Sequence, residues 1–167
     1  DNDHQVLLQY DTEKWAKYER PLSQDNMHKS GPKKPAGKYF VYTGNRNWGV
    51  QNMEYDKTRN FWFLATYTGK KDNFANFTLM TIDGNIAPKK QPLKDVDYCK
   101  SGNMLTLSGR GMVDPNCHSI HGWIFDNSST GIHALGDNYF YISHRKNNKP
   151  YQSCTATLYK FVARELY

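Results

Sequence analysis

The densest run of chemically versatile side chains is Cys117-His118-Ser119-Ile120-His121-Gly122-Trp123, followed by Asp126, His133 and His144. Imidazoles titrate near neutrality, so they serve as general acids, general bases and metal ligands. His118 and His121 are three residues apart. On a strand that spacing puts them on opposite faces, whereas in a loop they could converge on a metal together with Asp126. Hydrolysis calls for carboxylates and imidazoles that can pass a proton. Glu54, Asp126, His133 and His144 are the candidates for such a catalytic set. Asp56, Asp114 and Asp137 read better as turn residues, whose carboxylates accept hydrogen bonds from the backbone that follows. Neither a Gly-x-Ser-x-Gly nucleophile motif nor a phosphate-cradling glycine loop occurs, and no motif identifies a cofactor.

A second group of residues suits recognition rather than turnover. Trp48 and Trp123 offer aromatic faces, and Gln51, His133 and Arg145 offer donors and acceptors. Sugars are bound by this mixture, because rings stack on their C–H faces while polar groups meet their hydroxyls. Arg145 would anchor a carboxylate or phosphate.

The elements that must carry these residues show an internal repeat. One copy runs from Gly49 through Val50-Gln51-Asn52-Met53-Glu54-Tyr55-Asp56 to Phe61-Trp62-Phe63-Leu64-Ala65, and the other from Gly131 through Ile132-His133-Ala134-Leu135-Gly136-Asp137 to Tyr139-Phe140-Tyr141-Ile142-Ser143. In each copy the opening glycine supplies backbone freedom at a strand entry, a short alternating strand follows, and an aromatic strand returns. Each copy then crosses a lysine-bearing loop to a third strand rich in Thr and Leu, so the related units cover residues 49–82 and 131–161. Gln51 and His133 occupy matching positions and would face a common axial pocket, with Trp48 and Trp123 at its mouth. The two glycines are 82 residues apart, about twice the length of a propeller blade.

Other strands are expected at 6–11, 14–19, 38–42, 105–107 and 122–125. Long loops are expected over 23–37 and 83–92, where Pro, Gly, Ser and Lys concentrate. The weakest helix candidate is 162–167. The whole of 1–167 is read as one mostly-β domain or as a fragment of a larger propeller.

Repeated units of aromatic strands resemble β-propeller blades. Tyr42-Thr43-Gly44-Asn45, Gly49-Val50-Gln51-Asn52 and Ser129-Thr130-Gly131-Ile132 are similar to segments of uncharacterised secreted microbial proteins. The resemblance implies an all-β chain of propeller-like antiparallel sheets, with a β-sandwich as the alternative, and an extracellular location. The sialidase Asp box and the WD and kelch signatures are absent.

Composition narrows the function further. Aromatics reach 14%, with 12 tyrosines and four tryptophans, which argues against disorder. No apolar run approaches a membrane span. The formal net charge is +6, with lysine pairs at Lys33-Lys34, Lys70-Lys71 and Lys89-Lys90 and a similar pair at Arg145-Lys146, all in stretches that read as solvated turns. A start at Asp1 is read as a removed leader or as part of something longer. Three cysteines cannot all pair internally: a Cys99–Cys117 bond would leave Cys154 to join a second chain that completes the fold. The leading expectation is a secreted binding or scaffold module for a glycan. The alternatives are an extracellular glycan or phosphate-ester hydrolase, and a binder of anionic polymers or nucleic acid.

Overall fold

The computed structural model describes residues 3–162 apart from 26, 28, 29, 45, 46, 95 and 128. In chain order the strands are β1 (His4–Gln9), β2 (Gly37–Tyr42), β3 (Val50–Asp56), β4 (Phe61–Thr66), β5 (Leu79–Asp83), β6 (Lys89–Pro92), β7 (Ser101–Leu105), β8 (Met112–Val113), β9 (His121–Gly122), β10 (Ile132–Gly136), β11 (Tyr139–Asn148) and β12 (Tyr151–Lys160). The chain is all-β, and none of its sheets closes on itself. The lone helical element is a 3-10 helix over Thr12–Tyr18, among the described residues.

Both sequence-related segments form three-stranded antiparallel meanders, β3-β4-β5 and β10-β11-β12. A third sheet has the order β1-β2-β7-β6, in which β2 and β7 run parallel. Side chains alternate across a strand, so one meander can serve two cores. Leu64, Met80 and Ile82 point from one face of β4 and β5 into a cluster with Val41 of β2, Phe77, Leu107 and Ile120. Phe63 points the other way and meets Phe140 and Ile142 of β11, with Leu79 packed beside them. The β3-β4-β5 sheet is thereby sandwiched between the other two. Each fully buried Leu or Met side chain in it contributes about 2 kcal/mol by removal from water.

The edge of β5 away from β4 is occupied by short bridges. Leu79 pairs with Trp123 and Ile82 with Leu107. Two aromatic contacts reinforce the seam between the meanders: the rings of Phe63 and Phe140 lie 5.1 Å apart edge to face, and Phe63 and Phe161 lie 5.9 Å apart.

The structure corrects three expectations of local structure. Residues 14–19 are not a strand. Asp11 caps a 3-10 helix there, accepting from Glu13 N at 3.1 Å, and pairs with Lys14 Nζ at 2.7 Å. The Lys14 hydrogen bond is the main cause holding the Asp11 carboxyl below its ordinary value. The expected loop over 83–92 contains β6, an all-exposed strand whose polar sequence has no alternation to reveal it. Gly49 and Gly131 do not supply unusual backbone freedom, since neither has a positive φ; that demand falls on Gly136 at +96°, before a hairpin turn in which Asp137 and Asn138 both have positive φ. At Gly131 the constraint is space instead, because an added Cβ would come 2.7 Å from Ser143 Oγ. The helix candidate at 162–167 lies almost wholly outside the described residues.

Candidate functional site

Trp48 and Tyr67 stand at the open end of the β3–β4 hairpin, immediately outside the paired ends of the two strands. They are 48% and 46% exposed, and their rings meet edge to face with centroids 6.0 Å apart. The backbone around Trp48 is held by side chains from elsewhere in the chain. The Gln5 side chain, buried on β1, donates to Trp48 O at 3.2 Å and to Thr43 Oγ1 at 3.3 Å, while its Oε1 accepts from Val50 N at 3.2 Å. Asn47 Oδ1 accepts from Lys70 N at 2.9 Å and ties in the neighbouring loop. Gln51 is the extra residue of a bulge in β3, since Val50 pairs with Thr66 and Asn52 with the adjacent Ala65. A bulge re-aims its side chain, and Gln51 is exposed, with its Nε2 donating to Gly49 O at 3.4 Å. Sequence reasoning singled out Trp48 and Gln51 as ligand-binding candidates and did not single out Tyr67, Gln5 or Asn47. The tyrosine follows a strand end and breaks no pattern, and Gln5 acts from 43 residues away.

Trp123 is not at this place. It pairs with Leu79 on the far edge of the same sheet, three strand spacings or about 14 Å from β3. Its ring packs edge to face on Phe161 at 5.6 Å. It lines a cavity of about 290 Å³ with Phe63, Phe125, Phe140, Tyr159 and Phe161. This cavity is an opening of the second core cluster, and its walls are mostly apolar, with Lys160 among them. Gln51 and His133 are not structural equivalents either: Gln51 is bulged, whereas His133 is in regular register with Tyr141.

Of the candidate catalytic set, Glu54 and His133 come together. Glu54 Oε1 lies 3.2 Å from His133 Nδ1 and accepts from Ala134 N at 2.7 Å, so a side chain of β3 caps the free edge of β10. His144 is engaged elsewhere: its Nε2 is 3.0 Å from Tyr159 Oη, with the two rings nearly parallel. Asp126 is exposed in the turn after β9. His118, His121 and Asp126 do not form a metal site, and among the described residues no group of three or more His, Cys, Asp or Glu could hold a metal ion. The buried carboxylates of Asp56 and Asp114 serve the backbone, and that of Asp3 pairs with Lys71 at 2.6 Å. Asp56 accepts from Thr58 N at 2.9 Å and pairs with Arg59, and Asp114 accepts from three amides.

The cysteines are unbonded, so the expected Cys99–Cys117 bridge is absent. Cys99 donates to Ser101 O at 2.9 Å, and Cys117 Sγ lies 3.3 Å from Ser119 Oγ, each satisfied within its own turn. Arg145 is exposed on β11 with Nε 3.3 Å from Asn147 Oδ1. No helix among the described residues is long and apolar enough to cross a membrane. No protein family, curated protein or solved structure matches the chain.

Proposed function

We propose that this chain is a secreted carbohydrate-binding module on a propeller-like arrangement of sheets, and that Trp48, Tyr67 and Gln51 form its sugar-contacting surface. The observation that carries the reading is the Trp48–Tyr67 pair: two half-exposed aromatic rings, the first anchored by Gln5 through its carbonyl, with the exposed Gln51 amide three residues on from Trp48. Stacking area held at low entropic cost, next to a donor and acceptor, is what a sugar ring requires. The blade reading draws support from three sheets packed face to face, with the first strands β3 and β10 adjacent. It also explains why the outer sheet faces present Val6 and Leu8 on one side and Tyr139, Tyr141 and Leu158 on the other, surfaces suited to further blades from a second chain.

Binding is tested by titrating a panel of neutral and acidic glycans. Trp48→Ala and Tyr67→Ala are each expected to weaken binding at least about tenfold, equivalent to 1.4 kcal/mol, with unchanged circular dichroism. Retention of full affinity by both variants would overturn the site. A hydrolase reading is favoured by one observation, the Glu54–His133 contact. It requires release of reducing ends or phosphate that Glu54→Gln abolishes while binding persists.

A further inference from the structure

Beyond Ser143 the β11–β12 hairpin leaves its sheet. β10 pairs with β11 only as far as Ile142, whereas β11 and β12 stay paired to Asn148 and Tyr151. The five residues His144–Asn148 and their partners form a two-stranded ribbon extending about 16 Å at the usual strand rise. From Arg145 through Leu158 every residue is exposed, so neither face of the ribbon is used for packing.

The direction of this ribbon follows from three contacts. Arg59, in the β3–β4 turn, donates to the side chain of Asn138, in the β10–β11 turn. Both turns therefore lie at one end of the stack. Glu54 reaches Ala134, and Phe63 meets Phe140, so β4 and β11 run side by side away from that end. Counting onward from Phe63 and Phe140 brings Thr66 level with Ser143. The ribbon thus projects beyond the end of the β3–β4 hairpin where Trp48, Tyr67 and Gln51 stand.

Its charge is of one sign, carried on both faces because Arg145 and Lys146 are consecutive on β11. Tyr139 through Val162 contains Arg145, Lys146, Lys149 and Lys160 and no Asp or Glu. Three of those cations sit on the projecting part, and Tyr151 beside them is 78% exposed. Lysines also blunt exposed strand edges, but with no acid along the ribbon the positive charges are uncompensated and attract an anion.

We infer that the ligand is an acidic polysaccharide, a chain of uronate-type sugars, whose rings lie on Trp48 and Tyr67 while its carboxylates meet Arg145, Lys146 and Lys149. This rests on the sugar-binding reading above and specifies its substrate class. A polymer is required because the aromatic pair and the ribbon are separate contacts, and bridging them adds avidity that a single sugar lacks.

The test compares polygalacturonate with the same polymer after methyl esterification, which keeps the rings and removes the charge. Arg145→Gln/Lys146→Gln/Lys149→Gln changes only exposed side chains, and circular dichroism verifies its fold. The wild type is expected to bind the acid form at least about tenfold more tightly than the ester at low salt, and the triple variant to bind both alike. The wild-type preference should fade as salt is raised. Equal binding of acid and ester, or a triple variant with undiminished affinity for the acid form, overturns the acidic class and leaves sugar binding standing. Binding to neutral glycans but to neither of these polymers does the same. Tighter, ribbon-dependent binding of single-stranded DNA assigns the ribbon to nucleic acid and overturns the inference. Binding to no glycan at all overturns both readings together.

Discussion

Arg59 donates to the Asn138 side chain, joining the turn of one meander to the matching turn of the other. The same guanidinium pairs with Asp56 at 2.5 Å, and its carbon lies 4.8 Å from the centre of the Phe161 ring. One side chain therefore binds its own turn, the partner turn and an aromatic residue that closes the seam between the sheets. Arg59 is well covered and Asp56 is buried, so the pair is shielded from the screening that makes surface ion pairs nearly neutral.

Loss of Arg59 is expected to cost more than loss of an exposed arginine. Arg59→Ala leaves the Asp56 carboxylate buried without its cation, a penalty of about 3 kcal/mol. Arg59→Lys restores a charge but not the fork that reaches Asp56 and Asn138 together, so it should recover part of the loss. Urea unfolding of the three proteins checks the order wild type, lysine, alanine. Equal midpoints for wild type and alanine would show that the tie contributes nothing.

Asp114 gives a second stability prediction. It is 1% exposed, and its oxygens accept from Ala75 N at 2.6 Å, Asn116 N at 2.9 Å and Cys117 N at 3.0 Å. Asp114→Ala strands amides in a covered loop and should destabilise the fold by about 3 kcal/mol. Accelerated hydrogen exchange at Ala75, Asn116 and Cys117, relative to amides of β4, is the accompanying local signature.

Cys154 provides a chemical test. It is exposed on β12, whereas Cys99 and Cys117 are partly covered and hydrogen-bonded in their turns. One thiol per chain should react quickly with a disulfide reagent, and Cys154→Ser should remove that fast phase. The same position tests the second chain proposed to cover the outer blades. Native material joined through Cys154 falls to the mass of this chain on reduction, and an unchanged mass excludes that linkage.

The strands of the two meanders were legible because half-burial stamps alternation on residues 50–56, 132–136 and 139–143, and because 61–66, buried on both faces save Trp62, is an aromatic and apolar run. β6 was not, since every one of its residues is exposed and hydrogen bonding alone makes it a strand. The 3-10 helix was hidden for the same reason: it buries nothing, and its cap at Asp11 resembles the start of a tight turn. At the site, Trp48 and Gln51 stood out by residue type. Trp123 stood out equally, yet its partner Leu79 places it at the other edge of the sheet. Residue type carries no information about which edge a strand will occupy. The Glu54–His133 contact likewise joins positions far apart in sequence, and depends on how two sheets abut.

The parallel pairing of β2 with β7 has a consequence for the order of folding. Between those strands the chain must lay down β3, β4, β5 and β6. The β3-β4-β5 meander needs only contacts between neighbours in sequence, so its closure entropy is small; β2 and β7 must instead close a long loop around it. The first sheet can assume its final order only once that loop is drawn in, and Val41 then finds Leu64 and Met80 already in place. The middle of the molecule is in this sense a template for the first sheet.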